Sequence, residues 1–377
     1  MECKIKKSRH LARILLLALV FLILCAVPAR AEVTQEDELY EKSGASGMYD
    51  SLDGDTRELL SKAGVDSPEM EEELSFDRIF QAISQMLREK LSSPLKTLAA
   101  LIAIILLCRL GGCFEKSEIG AVSTLVGTVS CAAVIVVPMI GLIDSTRLVM
   151  DSASVFLLAS IPVYSALMVA AGNVVTGGAY SFFTLAAANA VPLLSAGLII
   201  PILNIFLAFA VATAVSQVKF EKLTARLYQF CKWLLILLVT VFSGLLSLQT
   251  MLNMHVDSVT AKTAKLIASS AIPIVGGAFS DALSAIQSSI QIVKSGVGAF
   301  GILASLFIFL PVTIEAVLWV IVCSVGEIAG DLFEVPKLAS FLGVCASVAR
   351  MILAVIISTA AVSIVSASIV LLLRGNF

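Results

Sequence analysis

From Pro94 to Phe377 the chain is a near-unbroken succession of apolar segments separated by short polar stretches. A soluble fold must cover its core with polar side chains, and this stretch has too few of them. Across all 377 residues mean hydropathy is +0.98 and 14% of residues are charged. An ordinary soluble domain has about 25% charged residues. The fold class that fits is an all-α, polytopic integral membrane helical bundle, because helices satisfy their own backbone hydrogen bonds in lipid.

Ahead of that body stand an export signal and an acidic segment. Lys4, Lys6, Lys7, Arg9 and Arg13 form a basic region, residues 14–27 are apolar, and Ala29-Arg30-Ala31 offers a small-x-small cleavage site. Residues 1–31 are therefore expected to be a signal peptide, with an uncleaved first anchor as the other reading. Leu24 precedes Cys25 where a lipid-attachment site needs a small residue, so lipidation is not expected. Residues 32–93 carry 16 acidic and 6 basic residues, a net of −10, whereas residues 94–377 carry 11 and 14, a net of +3. The chain thus divides into a signal, an acidic extracytoplasmic segment at 32–93 and a membrane domain at 94–377. Nucleic acid is excluded as a partner, since no dense basic patch exists.

Of the eight cysteines, Cys3 and Cys25 depart with the signal, and the other six lie in or beside apolar segments. No disulfide framework or zinc site follows from them.

Residues 32–65 read as loop or weak helix. A firmer helix starts at Ser67, with Pro68 in its first turn and acidic residues at the positive helix end. Phe76, Ile79, Phe80, Ile83, Met86, Leu87 and Leu91 give it one apolar face. Ser92-Ser93-Pro94 is expected to end it just before the membrane. The membrane segments are 95–110, 119–143, 153–171, 179–215, 233–252, 297–325 and 341–373, each reaching or approaching the ~20 residues a crossing needs.

Charge then assigns sides. An exported 32–93 puts Arg109 and Lys116 inside, and Asp144, Arg147 and Asp151 in an outer loop. Lys219, Lys222, Arg226 and Lys232, opposed only by Glu221, hold residues 216–232 inside. Residues 179–215 must then cross twice or enter and return, as a tight hairpin or re-entrant pair, giving seven to eight spans. Pro162, Pro192 and Pro273 share a small, β-branched, proline, apolar context. They mark broken helices, which belong inside a bundle or beside water, or else ordinary kinks.

No enzyme signature survives inspection. Gly296, Gly298 and Gly301 fit G-x-G-x-x-G, but without a preceding strand the dinucleotide reading fails, and close helix approach is the better account. His255 is the only histidine beyond the signal, so no two-histidine metal site exists, and no catalytic, cofactor or metal residue is assigned. The polar residues that stand out are on one helical face: Asp281, Ser284, Ser288, Gln291 and Ser295, opposite Leu283, Ile286, Ile290 and Val293. Such a stripe lines a watery path or lies flat at the membrane surface. Glu315 and Arg350 fall deep in predicted spans. They are candidates for a buried ion pair, unless Arg350 snorkels to a span end.

The run Thr263-Ala264-Lys265-Leu266-Ile267, Ile272-Pro273-Ile274-Val275-Gly276-Gly277 and Phe279-Ser280-Asp281-Ala282 resembles the stage III sporulation protein AE family. Phe114-Glu115-Lys116-Ser117 and the amphipathic stretch around Ser75-Phe76 are similar to it too. The resemblance implies an endospore former and a place in the channel apparatus between mother cell and forespore. It implies residence in the mother-cell membrane that surrounds the forespore, and a role in late forespore development. It also implies partners: other stage III A proteins, including a cytoplasmic ATPase, small membrane subunits and ring-forming ectodomain proteins, together with a forespore-side partner and membrane lipid. The expected function is a channel or export-platform subunit. Its rivals are a stand-alone transporter or permease, and a non-conducting scaffold for ring partners.

Overall fold

The structure, a computed structural model, describes residues 40–65, 67, 76–112, 118–194, 197–198, 200–215, most of 223–248, and 276–372. The expected signal, the start of the helix at Ser67, the Phe114 to Ser117 motif, His255 and the proline break at Pro273 lie outside these residues. Among the described residues the fold is all helix: α1 (Ala45–Asp50), α2 (Gly54–Lys62), α3 (Phe76–Gly112), α4 (Glu118–Ala170), α5 (Val174–Leu194), α6 (Ile200–Val215), α7 (Tyr228–Leu246), α8 (Gly276–Leu332) and α9 (Pro336–Leu372). Five helices are long and apolar enough to cross a membrane, namely α3, α4, α7, α8 and α9, while α5 and α6 contain shorter apolar stretches.

Residues 40–65, expected as loop or weak helix, fold into short helices docked on the bundle. Tyr40, Met48, Leu52 and Leu60 are buried, α1 packs on α4, and α2 packs on α8. Tyr49 meets Phe300 with ring centroids 6.2 Å apart. Asp53 caps α2, accepting from the Thr56 backbone at 3.2 Å and its hydroxyl at 2.8 Å. Asp53→Ala should cost about 1 kcal/mol of local helix stability. Faster amide exchange confined to residues 54–62 would show it; an unchanged rate would mean that docking alone holds α2.

The expected break at Ser92-Ser93-Pro94 does not occur, and α3 runs through a buried Pro94. Tertiary packing carries it across the ring. Lys90 pairs with Glu315 and Arg109 with Glu334, both at 2.8 Å, so α3 lies alongside α8 on either side of the proline. The expected outer loop at Asp144, Arg147 and Asp151 is also absent. Segments 119–143 and 153–171 are halves of one 53-residue helix, α4, which passes through Pro138 and Pro162. The three charges are exposed on its surface while Met139, Leu142, Ile143, Thr146, Met150 and Ala153 form an unbroken buried face. Charge suggested a loop, but the stretch has no turn chemistry: no glycine or proline stands between Leu142 and Ile161. The chain turns later, at Gly172, with φ +83°. There Gly172 and Asn173 donate to the Val169 and Met168 carbonyls and close the helix.

Residues 179–215 do contain two helices, but not as a tight hairpin. Among the described residues α5 packs on α4, and α6 packs on α4 and α9, with no substantial α5–α6 packing. The most extensive contact joins α8 and α9, antiparallel and zipped by small residues. A Cβ at Gly298 would sit 2.9 Å from Leu371 Cγ, and one at Gly330 would sit 2.9 Å from the Ala339 Cα. Glycines at these places let the helix backbones approach closely. The G-x-G-x-x-G run is therefore a packing motif, as its context suggests.

Candidate functional site

Helix α8 has 57 residues and so rises about 85 Å, against a hydrocarbon core of ~30 Å. Its neighbours are of similar scale, and charge divides the bundle into two tiers. The Lys90–Glu315 pair fixes the level of α3 against α8. Close approaches of Gly111 to Ser123 and Gly127 to Cys108 fix α3 against α4. Carried along the helices, these registers put exposed Asp144 and Arg147 near the level of Lys90 and Glu315. Arg350 lies about one turn away on α9. These charges mark one level of the bundle. On one side of it α8 has no charge between Lys294 and Glu315, and α9 none after Arg350 until Arg374. Each of those stretches rises about 30 Å or more, enough for a hydrocarbon core.

This tier has a mixed surface. On α4, α5, α6, α8 and α9 it exposes Leu158, Phe182, Leu185, Ile205, Leu306 and Ile357. Elsewhere it is flanked by α1, α2 and the first half of α3, whose outer surfaces carry Asp50, Asp55, Glu58, Arg78, Arg88 and Glu89. Apolar surface suits lipid and the charged surface requires water.

The candidate residues take these places. All five stripe positions lie on α8, which continues unbroken into the apolar tier. The side chains of Asp281 and Ser284 fall outside the described residues. Ser288 and Ser295 are exposed and Gln291 is half-buried, while Ile290 and Val293 on the opposite face are buried. The Glu315–Arg350 pair is not formed. Glu315 pairs with Lys90 of α3, and Arg350, exposed, donates to the Ala346 carbonyl at 3.2 Å and the Ser347 hydroxyl at 3.3 Å on its own helix. Register explains the correction. With Gly298 beside Leu371 and Gly330 beside Ala339, Arg350 comes level with the turn around Trp319, about one turn from Glu315, whose carboxylate is held by Lys90 instead.

A second set of polar residues is buried. Lys294 is fully buried, as are Ser305, Ser366 and Thr184, while Tyr164 and Tyr180 are 1% and 2% exposed. Their signal was present in spacing: Gln291, Lys294, Gly298, Gly301 and Ser305 recur at steps of 3, 4, 3 and 4 along α8. The exposed stripe adjoins this face on the same helix, with Gln291 common to both. Among the described residues no group of three or more metal-ligating side chains occurs.

The comparisons agree with one another. The family described as Stage III sporulation protein AE (spore_III_AE) matches residues 63–373, which takes in α3 to α9. The Stage III sporulation protein AE of Bacillus subtilis (strain 168) is 29% identical over 148 residues. That alignment covers 39% of this chain and 37% of the relative's length. No solved structure matches. The family match covers most of the chain and every long helix among the described residues, so this multi-pass, helical protein belongs to the stage III sporulation protein AE family and has a sporulation-associated role.

Proposed function

We propose that this chain is a membrane channel or export-platform subunit of the stage III A sporulation apparatus. It would sit in the mother-cell membrane surrounding the forespore and serve late forespore development. The observation that carries the reading is the mixed surface of this tier: exposed apolar side chains of α4, α5, α6, α8 and α9 suit lipid, while the charged outer surfaces of α1, α2 and the first half of α3 at the same height suit water. A subunit of a conduit needs such a division, since one face must meet the bilayer and another must meet water. Family membership supplies the setting. The chain performs no catalysis of its own in this scheme. Energy comes from the cytoplasmic ATPase partner, and ring-forming ectodomain proteins, small membrane subunits and a forespore-side protein complete the passage.

The test has two parts. Chain purified from sporulating cells should bring the ring-forming proteins with it; solute flux through the purified chain alone would instead identify a self-sufficient transporter. Single cysteines at Asp53 and Lys222, in a background without native cysteines, report sidedness to an impermeant thiol reagent. Asp53 should label in intact cells and Lys222 only after lysis, because the export signal and the basic loop fix opposite sides. The reverse pattern would overturn the topology on which the reading rests.

A further inference from the structure

The serines and threonines of this bundle follow a rule, and one group of them breaks it. Thr146, Ser154, Ser160, Thr313, Ser358 and Thr359 each donate to the carbonyl four residues earlier, at 2.7–3.0 Å. This is the usual way for a buried hydroxyl to satisfy itself within an apolar helix. Thr184, Ser305, Ser363 and Ser366 do not do so. The buried hydroxyls of Ser305, Ser363 and Ser366 have no hydrogen-bond partner among the described residues, whereas Tyr164 stands beside the Ser160 hydroxyl and Thr184 beside that of Tyr180.

The hydroxyls of Tyr164, Thr184, Ser305, Ser363 and Ser366 come from four helices and lie within about one helical turn of a common level. A Cβ at Gly301 of α8 would overlap the Tyr164 hydroxyl of α4 and would lie 3.3 Å from the Ala367 Cβ of α9. Tyr180 of α5 stacks edge-on to Tyr164, with ring centroids 6.1 Å apart, and donates to the Ser366 carbonyl at 3.1 Å. Thr184 is one turn beyond Tyr180, Ser305 one turn beyond Gly301, and Ser363 one turn before Ala367. The antiparallel register of α8 and α9 sets Ser305 opposite Ser363.

A buried hydroxyl without a partner costs roughly 1–3 kcal/mol, so three at one junction would form a large local penalty if the junction were dry. A single water makes 2–4 hydrogen bonds, and buried waters occupy sites where several polar groups converge (about 3 bonds each is typical). We propose that the junction of α4, α5, α8 and α9 is a hydration site. Ordered waters there bridge the hydroxyls of Tyr164, Thr184, Ser305, Ser363 and Ser366. The ligand is water because the donor set is neutral: hydroxyls both donate and accept, and no carboxylate stands among them to hold a cation. Gly301 is required because any side chain there would displace the Tyr164 hydroxyl from the group. The site does not depend on the conduit reading, and a protein of any function with this junction would hold these waters.

X-ray radiolytic footprinting of the purified, unmodified protein tests it, since hydroxyl radicals made from water in place mark the side chains beside that water. Tyr164 and Tyr180 should be oxidised several times faster than Phe156 and Phe307, which are equally buried at 2% and 0% exposure. Equal, slow rates at all four would show a dry junction and overturn the proposal. In the S305A/S363A/S366A variant, tyrosine oxidation should fall toward the phenylalanine rate. Persistence of fast oxidation in a folded variant would mean that these hydroxyls do not hold the water, and would also overturn the assignment. If the variant does not fold, the comparison within the unmodified protein decides alone.

Discussion

Gly330→Ala is expected to destabilise the folded bundle by about 1–3 kcal/mol, the usual cost of forcing extra atoms into a close-packed site. The added Cβ would stand 2.9 Å from both the Cα and the backbone nitrogen of Ala339, and 3.0 Å from its Cβ. These atoms cannot rotate away, so α8 and α9 must part at the turn that joins them. That turn is itself constrained: Glu334 has φ +54°, and Val335 donates to the Gly330 carbonyl at 2.8 Å. Gly141 on α4 is the control, because a Cβ there meets nothing within 4 Å. Gly141→Ala should be neutral, or stabilising by up to about 1 kcal/mol, since alanine favours a helix over glycine. Thermal unfolding in one detergent, followed for both variants, reads the contrast. Equal effects would mean that the α8–α9 approach is not tight, and the zipper account would fail.

What the sequence disclosed follows physical rules that act locally or on composition. Apolar length announced a helical membrane bundle, and the glycines at 296–301 announced close packing. The opposition of Ile290 and Val293 to Ser288 and Ser295 was visible in a 3.6-residue period. The errors came from treating charge and proline as punctuation. Asp144, Arg147 and Asp151 need only an exposed helix face, not a loop, and Pro94 sits inside a continuous α3, just as Pro162 is an in-helix proline of α4. Pairing was harder still. Glu315 finds Lys90, a residue 225 positions away, and no local period predicts which helix lies alongside which. The hydroxyls at the four-helix junction were hidden for the same reason. A serine in an apolar helix is ordinarily satisfied by its own backbone, and only the assembled structure shows which serines are not.

The Lys90–Glu315 contact yields the second large effect. Lys90 is 43% exposed and Glu315 21% in their side chains, so removing the lysine strands the less hydrated charge beside an apolar tier. Lys90→Glu goes further and sets two carboxylates against each other where a 2.8 Å ion pair stood. A fully exposed pair contributes about 0.2–1 kcal/mol, and breaking a fully buried one costs about 3–5 kcal/mol. This intermediate setting predicts a loss of roughly 1–3 kcal/mol for Lys90→Glu. Glu315→Gln should cost less than Lys90→Glu, since the neutral amide needs less hydration and the lysine keeps access to water. The exchange Lys90→Glu/Glu315→Lys should recover most of the loss, because the two side chains meet across parallel helices and either can supply the cation. Arg350→Gln should add its own small effect independently of both, because the hydrogen bonds of Arg350 among the described residues go to Ala346 and Ser347 of its own helix. Accumulation in the membrane and unfolding midpoint, measured for the four variants and their combinations, decide the matter. If the exchange fails to recover stability while Arg350→Gln couples strongly to Glu315→Gln, then the carboxylate's partner is the arginine, and the register assigned to α3 against α8 is wrong.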